Sequence, residues 1–133
     1  MSANLSNKSL RSPLAEARGL GSAKSGTGHW WHQRVTAIAL IPLTVWFVFG
    51  VIRHLGADHA AFTAWLQSPF SALMMVLTIG VTFYHAVEGL QVVIEDYVHN
   101  EWAKLASIIA VKFLGYALAA AGIIAVLKIS FGA

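Results

Sequence analysis

The chain contains no cysteine. That excludes disulfides, Cys-ligated iron–sulfur clusters and thioether-attached haem, so any redox centre must be held by histidine or by a partner. Acids are also scarce: Asp and Glu number 6 in 133 residues against 9 Lys and Arg, and charged residues make up only 11% of the chain. Hydrophobic residues make up 57% and the mean hydropathy is +0.65, which is too apolar for a soluble domain of this size. The composition is that of a membrane protein. So short a chain holds three or four spanning helices and little else, with no room for a separate catalytic domain. The basic excess, with a pI near 9.5, does not mark a nucleic-acid partner, because five of the nine cations lie at or before Arg34. That clustering is a topology signal.

Residues 1–28 form a polar tail with Lys8, Arg11, Arg18 and Lys24 and one acid, Glu16. Ser12-Pro13 has the form of an N-cap followed by proline at the first helical position, and Gly19 can close a short helical turn over residues 13–18. The tail shares the basic, serine-rich, acid-poor make-up of organelle transit peptides, and it does not fit a secretory signal. The remainder, residues 29–133, is expected to be one membrane domain. His29, Trp30, Trp31, His32, Gln33 and Arg34 stand directly before the first apolar run, where paired indoles and an arginine suit a membrane interface.

The fold class is all-α, with three transmembrane helices expected at about residues 35–53, 69–94 and 105–129. The first is free of charge from 35 to 52 and carries Pro42, which is expected to kink it. Residues 53–67 read as a loop. Ser68-Pro69 opens the second span, and a short turn over residues 95–104 leads to the third. In the third span Lys128 can snorkel, Lys112 must snorkel back or face protein, and the small residues from Ala117 to Ala125 permit close helix contact. Three spans put the termini on opposite sides. The cation count places the N-terminus and the 95–104 turn on the cytoplasmic or matrix side.

The second span carries the chemistry. In FYHAVEGLQVVIEDYVH, beginning at Phe83, a helical period aligns His85, Gly89, Val92 and Asp96 on one face, with Tyr97 beside Asp96. His85 and Asp96 are then roughly 16 Å apart along the axis, about half a bilayer core. A histidine in a spanning helix usually faces the bundle interior. His85 can be a hydrogen-bonded packing group, a proton relay or an axial haem ligand. Gly89, one turn on, leaves room for a flat macrocycle. No other histidine of the chain is expected at that depth, so a bis-histidine haem has to be shared with a second membrane chain. Arg34 is either a topology marker or a bidentate partner for haem propionates, with His32 as a possible helper. Asp96 and Tyr97 are either an ordinary helix-end pair or a quinone-carbonyl donor with its supporting acid. Glu88 is open among a protonated acid, a partner for Lys112 and a group facing another polar partner.

Three features together resemble the small haem-binding membrane-anchor subunit of succinate dehydrogenase, or complex II. They are RVTAI beginning at Arg34, the H-x10-D-Y arrangement of His85, Asp96 and Tyr97, and the three spans in order. The run SGTGHWWHQRVTAIALIPL is similar to alphaproteobacterial members. The resemblance implies half of a haem-binding bundle in a four-subunit enzyme with a flavoprotein, an iron–sulfur subunit and a second, larger anchor. It also implies haem b shared between the anchors and ubiquinone as substrate. His85 matches the haem-iron ligand, Arg34 an arginine near the propionates, Tyr97 the quinone-binding tyrosine and Asp96 its neighbouring acid. The implied location is a bacterial inner membrane rather than a mitochondrial one. A fumarate reductase anchor and a haem-free structural helix bundle are the alternatives.

Overall fold

The computed structural model describes residues 12–19 and 26–132, and every element in them is an α-helix. The remainder of the polar tail, with Lys8, Arg11 and Lys24, lies outside the described residues. Helix α1 is the short turn Pro13–Ala17, and Gly19 follows it at φ +67°, a backbone state that suits glycine. Helix α2, Gly26–Arg53, begins nine residues before the expected start at 35. The added residues have no apolar run to announce them. Trp30 stacks on Trp31 at 6.2 Å, and the Arg34 guanidinium lies over the Trp30 ring at 5.3 Å, an i,i+4 pair that a helix brings together. The helix continues through Pro42 as one element.

The loop expected over residues 53–67 contains a helix, α3, His59–Gln67. The Asp58 carboxylate caps it by accepting from the Ala61 amide at 2.8 Å. Helix α4, Pro69–Tyr97, opens with proline as expected, although the Ser68 hydroxyl makes no capping bond, and it runs three residues past 94. Helix α5, Glu101–Ser130, starts four residues before 105, where the Asn100 side chain accepts from the Ala103 amide at 3.1 Å. Three helices, α2, α4 and α5, are long and apolar enough to cross a membrane.

The helices form a row with α4 in the middle. It packs on α2 by one flank and on α5 by the other, and no Cα of α2 comes within 8 Å of one in α5. Successive positions of α4 divide the work. Val87, 2% exposed, faces α5 and closes over Gly115, where an added Cβ would run into the valine Cγ2. Farther along, a Cβ on Gly122 would meet Ile79 Cγ2 at 3.3 Å, so the small residues of α5 do let the helices approach closely. His85 and Glu88 are on the other flank, against α2. At the far end Leu66, Ala72, Met75 and Val126 make a small core bordered by Trp46 and Trp65. Trp65 occupies the space beside Gly50, within 2.6 Å of where a Cβ would stand, and ties α3 to α2. Large apolar side chains elsewhere on α2 and α5, among them Ile38, Phe49, Phe113 and Ile124, stay more than half exposed and face lipid or protein.

Candidate functional site

The site is built where the first turns of α2 cross α4. Reading down the contact, His29 meets Glu88, Gln33 meets Gly89 and the His85 backbone, His32 meets Tyr84, and Thr36 meets the His85 ring. The helices are antiparallel, and α4 continues nine residues past Glu88 whereas α2 begins three before His29, so α4 overhangs α2 by roughly 9 Å.

The His85 ring is half-buried, with Nδ1 at 2.9 Å from Thr36 Oγ1. Its Nε2 has no hydrogen-bond partner among the described residues. One cavity of about 550 Å³ is lined by His85, Gly89 and Val92 from α4 and by His29, Trp30, Gln33, Arg34 and Ala37 from α2. The stripe expected from the helical period therefore reaches the cavity as far as Val92, and Arg34 stands on the same cavity wall, its cation over Trp30. Asp96 is not among the lining residues.

Gly89 earns its place by contact. A Cβ there would come within 3.0 Å of Gln33 Nε2, the amide that also donates to the His85 carbonyl at 3.4 Å. The other end of that amide, Gln33 Oε1, is buried and has no hydrogen-bond partner among the described residues. A buried acceptor with no partner is rare in a finished interior.

Glu88 is 8% exposed, and its Oε2 lies 2.7 Å from His29 Nε2, close enough for an ion pair but not aligned as a hydrogen bond. Its partner is this histidine rather than Lys112, which lies on α5 beside an apolar cavity with Phe113, Tyr116 and Ala117. His32 does not line the main cavity. Its Nδ1 is 3.4 Å from the Tyr84 hydroxyl, and the two rings meet edge-on at 6.4 Å. Asp96 and Tyr97, at the end of α4, are exposed, Tyr97 by 77%, and neither lines the cavity beside His85. A larger cavity, about 630 Å³, lies at the opposite end among Trp46, Phe49, Gly50, Arg53, His54 and Trp65, and holds none of the expected site residues.

The residues on the first cavity suit a haem. His85 offers one free ring nitrogen, Ala37 keeps one wall low, and Arg34 supplies a guanidinium for carboxylates, whereas the room beside Gly89 is taken by Gln33 Nε2. His29 lines the cavity too, and its Nε2 faces Glu88. Among the described residues no group of three His, Cys, Asp or Glu side chains could hold a metal ion. Gln33 and Thr36 were not singled out from sequence. Their signal was present: both are polar, and they follow His29 at four and seven residues, one helix face.

Fold and site together define a multi-pass helical membrane protein with a histidine-bearing cavity on one flank of its central span. The chain belongs to the succinate dehydrogenase/fumarate reductase transmembrane subunit family, whose model matches residues 8–119. It is 37% identical over 121 residues to the succinate dehydrogenase hydrophobic membrane anchor subunit of Paracoccus denitrificans, covering 91% of this chain and 93% of that protein. The subunit of the same description from Rickettsia bellii is 34% identical over 117 residues, covering 88% and 94%. The succinate dehydrogenase membrane anchor subunit of Reclinomonas americana is 32% identical over 94 residues, covering 68% and 78%. No solved structure matches the chain.

Proposed function

We propose that this chain, a membrane-anchor subunit of succinate dehydrogenase, provides one axial ligand of a shared haem b through His85 and one side of a ubiquinone-reduction site through Tyr97 and Asp96. The observation that carries the haem reading is His85, which holds one ring nitrogen against Thr36 and keeps the other free beside a cavity shared with Arg34 and Gly89. His29 Nε2 faces Glu88, and a second ligand would be supplied by the larger anchor chain. The three spans are half of the resulting bundle. Arg34 would hold propionate oxygens, and Ala37 keeps one cavity wall low.

When bound, haem supplies a one-electron store near the quinone. The protein groups do the rest. Succinate is oxidised at the flavoprotein, the iron–sulfur subunit brings electrons to the membrane, and ubiquinone takes up two electrons and two protons. The Tyr97 hydroxyl donates to a quinone carbonyl, Asp96 orients it, and the aqueous phase on that side supplies protons. Tyr97 lies beyond the start of α2, and most of that pocket would come from the other subunits. Residues 1–28 serve as a cytoplasmic tail and 29–133 as the anchor domain. The cation bias sets the N-terminus and Tyr97 on the cytoplasmic face of a bacterial inner membrane.

Purification in mild detergent tests this reading. A flavoprotein, an iron–sulfur protein and a second anchor are expected to copurify, and the reduced complex is expected to show a b-type absorption band. His85→Ala is expected to weaken that band or change its ligation. An unchanged band in the variant rejects His85 as ligand.

A further inference from the structure

We propose that Thr36 is a positioning residue for the metal-ligating imidazole: it selects the tautomer of His85 and strengthens Nε2 as a donor. This rests on the reading of His85 as a haem ligand. The Thr36 hydroxyl has one hydrogen, and two backbone carbonyls stand ready for it, His32 O at 2.7 Å and Gln33 O at 3.2 Å. A threonine inside a helix commonly donates back to the carbonyl four residues earlier, and the shorter distance is to that carbonyl. With its hydrogen placed on the backbone, Oγ1 faces His85 Nδ1 at 2.9 Å with only lone pairs to offer. Two lone pairs cannot share a contact of that length, so the hydrogen between them belongs to Nδ1. The neutral ring then has its lone pair on Nε2, the form that binds iron.

One further contact and the placement of the pair on two helices make the arrangement directional. Gln33 Nε2 donates to the His85 carbonyl from the same turn of α2, holding the backbone beneath the ring. Thr36 is on α2 and His85 on α4, so the ring orientation is set by the packing of two spans rather than by one helix. A metal-ligating histidine whose other nitrogen donates to an acceptor is held in orientation and becomes more basic. Greater basicity favours ferric over ferrous iron and lowers the midpoint potential.

The test uses the whole purified complex with two variants and a redox titration of its b-type haem. Thr36→Val keeps the shape and removes the hydroxyl; Thr36→Ser keeps the hydroxyl. The expected result is a higher midpoint potential in Thr36→Val, equivalent to roughly tenfold in the ferric-to-ferrous equilibrium or about 59 mV for one electron, with Thr36→Ser close to the parent. Loss of haem from Thr36→Val but not from Thr36→Ser supports the proposal equally, because only the hydroxyl distinguishes them. An unaltered potential in Thr36→Val overturns it, and so does an equal change in both variants. His85→Ala keeps the two failures apart: if that substitution leaves the haem band and potential unchanged, the ligand assignment fails before Thr36 is in question.

Discussion

His29 Nε2 stands 2.7 Å from Glu88 Oε2, joining the start of α2 to a nearly buried acid on α4. An acid in an apolar span costs free energy unless something polar meets it, and this histidine is what meets it. His29→Leu strands the carboxylate and is expected to destabilise the α2–α4 contact by about 1–3 kcal/mol. His29→Leu combined with Glu88→Leu is expected to recover part of that loss. Unfolding of the complex in denaturing detergent measures the cycle, with a coupling of roughly 0.5–3 kcal/mol expected. Strict additivity would show that the two side chains do not interact.

Gly115 is expected to tolerate no larger residue. An added Cβ overlaps Val87 Cγ2, and Val87 is held by α5 and cannot move aside freely. Gly115→Ala should therefore destabilise the complex by about 1–3 kcal/mol, the usual cost of overpacking. Val87→Ala in the same chain restores the space. Thermal unfolding of the single and double variants decides it: a double variant no more stable than Gly115→Ala would locate the damage elsewhere.

Arg34→Gln removes the guanidinium from the cavity wall while leaving His85 untouched. Haem retention through purification is expected to fall by roughly 10–100-fold, the range for outer partners of a metal site. Arg34→Lys should recover only part of it, because an ammonium lacks the planar fork. Haem-to-flavin ratios give the readout, and parent-like ratios in Arg34→Gln would leave the arginine as a topology marker alone.

Tyr97→Phe keeps the ring and loses the hydroxyl. Ubiquinone reduction is expected to drop by about tenfold or more, within the range for loss of one positioned proton-handling group. Succinate oxidation with an artificial acceptor should persist. Equal loss of both activities would argue against contact with the quinone.

The spans were legible because a charge-free run bracketed by Arg34 and Arg53 has few other solutions, and Ser68-Pro69 announces a helix start. What escaped notice has physical reasons. The early start of α2 depends on Trp30, Trp31 and Arg34 contacts that carry no apolar period. Helix α3 is nine residues long, too short to stand out within residues 53–67, although Asp58 three residues before Ala61 was a usable capping signal. On the site, one helical period was enough to group His85, Gly89 and Val92, because it concerns a single element. The partners Thr36, Gln33 and His29 depend on how two helices are offset, and no pattern within one strip of sequence encodes that offset. The possible pairing of Glu88 with Lys112 gave way for the same reason: Glu88 is on the flank toward α2, whereas Lys112 is on α5.

With α2 and α5 kept apart by α4, the three spans make a slab with two bare faces instead of a closed barrel of helices. Its core is small, a cluster of Leu66, Ala72, Met75 and Val126 at one end. Both faces are left for lipid or for other helices to cover.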